Sequence, residues 1–244
     1  MRIGVVAFQP VYRQDLEDFD AMYGLPATGV NIVPLSGAPS SVSSLESSAW
    51  VTDVDVDVVH AVAPNAAIDV YVAAPGTPMY EIFSNLVYQA KDDIILVTWG
   101  QVPDSDADLL MAQMTAKLAA KGIRIFAPYE GSDAGPGTYA IDDPACVAGA
   151  IDVGGVSVNG ETGSFFEMSQ PGDAVTNPST GWSSLYDVSG AGVAAAYEAG
   201  LFAERSSFFL VRFSSCSSFS THTHQRRPLS VRLSSFLAWG RPQA

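Results

Sequence analysis

This chain is poor in cysteine, in histidine and in positive charge. Its two cysteines, Cys146 and Cys216, cannot build a disulfide framework, so cysteine usage leaves the redox compartment open. The plain reading is two unpaired thiols, with Cys146 buried. Twelve Lys and Arg stand against 26 Asp and Glu, a net charge of −14. The deficit is uneven. All 26 acids lie at or before Glu204 with only six basic residues, a net of −20, whereas the last forty residues carry six Arg and no acid. An acidic body argues against nucleic acid, whose phosphates need basic contacts, and against anionic membrane surfaces. No apolar run reaches the roughly 18 residues of a membrane span. No signal peptide is expected either, because Met1-Arg2 runs directly into Ile3-Gly4-Val5-Val6-Ala7, which reads as a buried strand. The expectation is a cytoplasmic protein, or one piece of a longer secreted precursor. His60 is the only histidine outside the last forty residues, and a lone His near a helix end reads as structural.

What is present is apolar and patterned. With 48% hydrophobic and 16% charged residues over 244 positions, the chain suits one large α/β domain with a well-buried core and leaves little room for a second. Runs rich in Val, Ile and Ala recur at Ile3 to Ala7, Asn31 to Pro34, Ile68 to Ala73, Ile94 to Thr98 and Ile123 to Ala127, with a further one near Ile151 to Val153. Near-continuous apolar strands alternating with helices predict a doubly wound, mostly parallel sheet of about six or seven strands, with helices on both faces. Asp106 to Lys121 reads as a helix with Leu109, Met111, Ala112, Met114, Leu118 and Ala119 on its apolar stripe and Gly122 as its stop. Asp15 to Tyr23, closed by Gly24 and Pro26, is a shorter helix, and Met79 to Ala90 a third. Asp53, Asp55 and Asp57 alternate with Val, which by period alone predicts a strand with an acidic face. A calcium loop does not fit there: Val58 stands where the sharp turn needs Gly, and Pro64 where the bidentate Glu belongs.

Six segments, in order, resemble the sedolisin family of serine-carboxyl peptidases and its relative, subtilisin. IGVVAFQPVYRQDLEDFDAMYGLP resembles the first strand and helix of sedolisins, and AVAPNAAIDVYVA (61–73) a helix end and strand common to both groups. LVTWG (96–100) resembles the sedolisin strand ending in Ser-Trp-Gly, and GIRIFAPYEGSD (122–133) the strand leading to the oxyanion loop. PACVAGAIDVGGVSV (144–158) resembles a Pro-Ala turn and a strand ending in Gly-Gly. VSGAGVAAAYEAGL (188–201) resembles the nucleophile helix, usually opened by Ser-Gly-Thr-Ser. The resemblance spans about 200 residues, implies the subtilisin-like α/β fold, and makes the stretch with Asp53, Asp55 and Asp57 a helix.

It also points to where the chemistry would sit. In this architecture a serine attacks the peptide carbonyl, a base takes its proton, an acid orients the base, and a side-chain donor holds the oxyanion. Carried over position by position, the base falls on Val51 and its acid partner, one helical turn later, on Asp55, which is retained. The oxyanion residue falls on Gly131, with Glu130, Ser132 and Asp133 adjacent, and the nucleophile on Gly192. The subtilisin aspartate falls on Phe8. Loss of base or nucleophile alone costs turnover on the order of a million-fold, and of an oxyanion donor about a hundred- to a thousand-fold. The resemblance therefore implies a sedolisin-like domain that is catalytically inactive, either a pseudo-peptidase binding peptide or protein or a degraded gene product. The alternative is an active serine-type endopeptidase using displaced residues, with Ser189 as one candidate.

No cofactor or metal is expected. The Gly-rich stretches at Gly154-Gly155 and 131–135 lack the Lys and spacing of a phosphate loop. His222 and His224 with Cys216 lack a fourth ligand, and nothing matches the family's calcium segment. The domain is expected to span residues 1–203. Residues 204–244, with ten Ser and no acid after Glu204, are expected to lie outside the fold. A reading-frame change, an unrelated fusion, a functional basic tail or a packed extension would each produce such a segment.

Overall fold

The computed structural model of the chain describes residues 1–35, 37–38, 49–101, 105–129, 131–133, 139–154, 168–171, 185–188 and 191–205. The tail beyond Arg205, Glu130, Gly155 and Ser189 lie outside the described residues. In chain order the elements are β1 (Arg2–Ala7), α1 (Arg13–Tyr23), β2 (Val30–Pro34), α2 (Ala49–Val62), β3 (Ala67–Val72), α3 (Met79–Gln89), β4 (Ile94–Val97), α4 (Ser105–Ala120) and β5 (Arg124–Pro128). There follow β6 (Gly131–Asp133), β7 (Tyr139–Ile141), β8 (Ala150–Val153), β9 (Met168–Pro171), β10 (Leu185–Val188) and α5 (Ala191–Glu204).

Six of the strands form one sheet in the order β2-β3-β1-β4-β5-β8, and every neighbouring pair is parallel. These are the six apolar runs of the sequence. Their side chains alternate between two cores. Ile3, Val5, Ile68, Val70, Val72, Ile94 and Leu96 face α1, α2 and α5, while Val6, Tyr71, Ile95 and Val97 face α3 and α4. Burial on both faces is why the central strands β3, β1, β4 and β5 read as near-continuous apolar runs.

The β2-to-β3 step and the two steps from β3 to β5 move the same way along the sheet, yet α2 covers one face and α3 and α4 the other. The crossover through α2 is therefore of the opposite hand to those through α3 and α4, an uncommon arrangement in parallel sheets. From β1 the chain turns towards β2, and from β4 towards β5, so the strand order reverses between β1 and β4. In open α/β sheets the crevice at the carboxyl ends of such strands is where ligands bind.

Residues 49–62 are a helix, not a strand. Every residue from Thr52 to His60 is buried, the polar ones included, because α2 is enclosed by α1, α5 and the sheet. Successive Asp residues are 200° apart around its axis, so Asp53 and Asp55 find separate partners. Asp53 Oδ1, for one, accepts the Tyr12 backbone N–H at 2.8 Å.

Two details differ from the sequence reading. Leu109 is 67% exposed and Ala119 is exposed, and the face of α4 that meets the core is Met111, Thr115 and Leu118. Those three fall within about 60° of one another at 100° per residue, whereas Leu109 lies about 160° from Met111. Cys146 is half-buried, not buried, and its Sγ donates to Asp143 Oδ1 at 2.8 Å. The stops hold: Gly24 closes α1 with φ 68, and Gly122 follows α4 with φ 82, both in the left-handed region that glycine enters without cost to a Cβ.

Candidate functional site

At the carboxyl ends of β1 and β4, where the strand order reverses, the chain leaves the sheet through Phe8 and through Thr98-Trp99-Gly100. The Phe8 and Trp99 rings pack with centroids 4.6 Å apart, and Trp99 Nε1 donates to the Val6 carbonyl at 3.3 Å. Gln101 continues in antiparallel pairing with Asp143, through Gln101 N to Asp143 O at 3.0 Å and Asp143 N to Gln101 O at 2.9 Å. Gly100 is pressed on Asp142: a Cβ there would lie 2.6 Å from Asp142 Cβ.

Asp55 projects from α2 onto Thr98. The Thr98 hydroxyl donates to Asp55 Oδ2 at 2.5 Å, and Asp55 is buried. Burial opposes its charged form and the Thr98 hydrogen bond favours it. The first dominates, pushing the Asp55 pKa up to about 8. At neutral pH it is mostly a neutral acid.

Gly192 is the second residue of α5, and it rests on the same threonine. A Cβ built there would lie 3.2 Å from Thr98 Cβ and 3.3 Å from its carbonyl carbon, and nearer still to the carbonyl oxygen. No side chain fits unless strand end or helix moves. The flanking Ala191, Ala194, Ala195 and Ala196 are buried, and their small size lets the helix lie this close to β4 and β5.

Of the four positions singled out from sequence, Asp55 and Gly192 thus share Thr98 as a direct neighbour. Val51 lies one turn before Asp55 on α2 and is 41% exposed, a side chain with no proton to exchange. Gly131 opens β6, where it pairs with Ile141 of β7. The next residue, Asp142, abuts Gly100, two positions beyond Thr98, so this hairpin stands on the same end of the sheet. His60 serves the structure: it is buried, its Nε2 donates to the Pro26 carbonyl at 2.8 Å, and it lies 3.2 Å from Asp20 Oδ1.

The residue that sequence reasoning passed over is Thr98. Its hydroxyl and its carbonyl are the two contacts that organise the site, and the only signal for it was its place in Thr-Trp-Gly where the family has Ser-Trp-Gly.

No protein-family model matches the sequence, and no curated protein matches it. Solved structures do match over most of the chain. Pseudomonas sedolisin, a serine-carboxyl proteinase complexed with two molecules of pseudo-iodotyrostatin, is 16% identical with a TM-score of 0.59, over 83% of this chain and 74% of that one. A lanthipeptide protease is 12% identical with a TM-score of 0.56, over 88% of this chain and 77% of its own. The PatG macrocyclase in complex with peptide is 14% identical with a TM-score of 0.52, over 83% and 74%. Likeness at such identities concerns the fold, and the fold is the α/β arrangement of sedolisin and subtilisin-like peptidases.

Proposed function

We propose that this chain is a sedolisin-like domain that binds extended peptide or protein segments without hydrolysing them. The observation that carries this reading is the contact between Gly192 and the Thr98 carbonyl. A peptidase of this architecture needs a hydroxyl at the nucleophile position, and here the main chain of Thr98, just past the end of β4, occupies the space that even a Cβ would need. Three further features support it. Val51 supplies no base, Asp55 is largely protonated at neutral pH and so accepts a proton poorly, and Gly131 offers no side-chain donor for an oxyanion. Binding follows from position: the strand-order reversal at β1 and β4 carries an aromatic pair, and the PatG match is a complex with peptide.

A second reading rests on one specific contact. Thr98 Oγ1 is within hydrogen-bond reach of Asp55 Oδ2, the relation of a nucleophile to its base, so a displaced endopeptidase would run through this pair. The test treats purified protein with an activity-based serine-hydrolase probe and with denatured casein at acidic and neutral pH. The expected result is no labelling and no cleavage, while the same peptides quench or shift Trp fluorescence in the wild type and not in a Trp99→Leu variant. Hydrolysis that persists through purification and disappears in both Thr98→Val and Asp55→Asn would establish the second reading instead.

A further inference from the structure

At the opposite end of the sheet from Thr98, two buried carboxyl groups meet one guanidinium. Asp69 on β3 accepts from Arg2 Nη2 and, through Oδ1, from Asn31 Nδ2 of β2 at 2.9 Å. Asp92, just before β4, accepts from the Tyr71 hydroxyl through Oδ2 at 2.6 Å. Its Oδ1 is buried, receives no hydrogen bond, and lies 3.8 Å from Arg2 Nε. Tyr71 belongs to β3 and Asp92 to the turn leading into β4, the two strands that flank β1 on either side, so their hydrogen bond straps across β1. Gly4 is the crossing point: a Cβ there would lie 2.7 Å from Tyr71 Cε2 and 3.0 Å from Asp92 Oδ2.

The charges do not balance if both acids ionise. Facing the pair are Arg2 from β1, Asn31 from β2, Tyr71 from β3 and, in the turn before β4, Asp93, whose Oδ2 accepts the Arg2 backbone N–H at 2.9 Å, and Lys91, which contributes its backbone to Tyr71. Arg2 is the one cation whose side chain pairs with either acid among the described residues. Two adjacent buried carboxylates on one guanidinium leave an uncompensated buried charge, and such a pair retains a proton.

We propose that Asp69 and Asp92 hold a single proton between them, carried on Asp92 Oδ1, and that this proton fastens β1, β2, β3 and β4 at the base of the sheet, making the domain tightest in mildly acidic solution. The ionisation directions agree. Burial chiefly raises the Asp92 pKa, to about 6, helped by the charge of Asp69 and by donation to it. Asp69 is held below the ordinary carboxylate range by its hydrogen bonds from Asn31, Arg2 and Asp92, which outweigh its own burial. The signs follow from linkage. A raised Asp92 pKa gives stability that is present below the ordinary range and lost as pH rises towards about 6. A lowered Asp69 pKa gives stability present above the ordinary range and lost as pH falls through its folded value.

Carboxyl 13C NMR of the whole chain tests the proposal directly. Asp92 is expected to titrate near pH 6, with a matching inflection in the Asp69 resonance at the same pH. In parallel, the unfolding equilibrium constant in urea is measured at pH 5 and 7.5 for the wild type and for Asp92→Asn, which keeps the shape and cannot ionise. The wild type is expected to show a rise about tenfold larger than the variant, a tenfold change corresponding to one pH unit of displacement in a pKa. Tyr71→Phe, which removes a donor to the charged form, should move the Asp92 midpoint upward. Independent titration of both carboxyls in the ordinary range near pH 4 would overturn the proposal, and that result is read on the wild type even if Asp92→Asn fails to fold. An equal pH response in wild type and a folded Asp92→Asn would overturn it as well.

Discussion

Placing any side chain at Gly192 sets a Cβ against the Thr98 carbonyl, and a main-chain oxygen cannot swing aside as the tip of a flexible side chain can. Overpacking of this kind costs about 1–3 kcal/mol. The helix propensity gained on replacing Gly offsets at most about 1 kcal/mol of it. Gly192→Ala and Gly192→Ser are therefore expected to lower stability, read as a fall in the urea midpoint at constant slope. On the proposed reading, adding Val51→Glu to Gly192→Ser should not produce casein hydrolysis, since Gly131 brings no side-chain donor to an oxyanion and the site is not preorganised. Asp55 gives a second residue-level expectation. Its raised pKa, about 8, means that the folded state keeps a proton that the unfolded chain loses near pH 4, so stability falls as pH rises from about 4 to 8. Asp55→Asn accepts from Thr98 in the same way and cannot ionise. Its stability should be flatter over that window, with a difference of up to several kcal/mol as an upper bound. Identical pH profiles for the two proteins would remove the buried-carboxyl account. The family resemblance pointed to Asp55 and Gly192 as candidates, but the sequence could not show that Thr98 joins them, because a hydroxyl after a strand carries no period or composition of its own.

Among the elements, α2 and α5 are the pair on which the site depends, since one brings Asp55 and the other Gly192. They approach closely at Gly200, where a Cβ would lie 2.9 Å from Val62 Cβ and 3.0 Å from Val62 Cγ1. Val62 Cβ moves only with its backbone, so Gly200→Ala is expected to separate the helices and to lower the thermal midpoint by several degrees despite the better helix propensity. An unchanged or higher midpoint would mean that the helix pair yields at no cost. The reading of elements from sequence succeeded where one signal dominated. The four central strands were legible because burial on both faces makes them largely apolar, the edge strands β2 and β8 through short Val/Ile runs, and the ends of α1 and α4 because Gly24 and Gly122 supply positive φ. It was ambiguous at α2, where the Asp-Val alternation has the period of a strand. Only its enclosure by α1, α5 and the sheet explains why valines are wanted on every side. On α4, counting apolar residues placed Leu109 on the core stripe, whereas its angular position turns it outward.

At the scale of the whole molecule, two distinct electrostatic costs should be separable by salt. Asp55, Asp92, Asp143 and Glu198 all have pKa values raised with burial as the leading cause. Each contributes stability that is present at low pH and lost as pH rises through its folded value, while Asp69 alone among the shifted carboxyls of the described residues opposes them. The chain also carries a net charge of −14, and self-repulsion of that size disfavours the compact state. Both effects predict a higher thermal midpoint at pH 5 than at pH 8. They differ in range. Repulsion among exposed acids acts through solvent and is screened within about 10 Å at 0.1 M salt, whereas desolvation of a buried carboxyl is not screened. Added sodium chloride should therefore raise the midpoint more at pH 8 than at pH 5, yet leave a gap between the two that salt does not close. The residual gap should shrink in Asp55→Asn and again in Asp55→Asn/Asp92→Asn, because those substitutions remove the unscreened part. If moderate salt closes the gap completely in the wild type, surface repulsion accounts for the whole pH dependence, and the buried acids titrate without consequence for the fold.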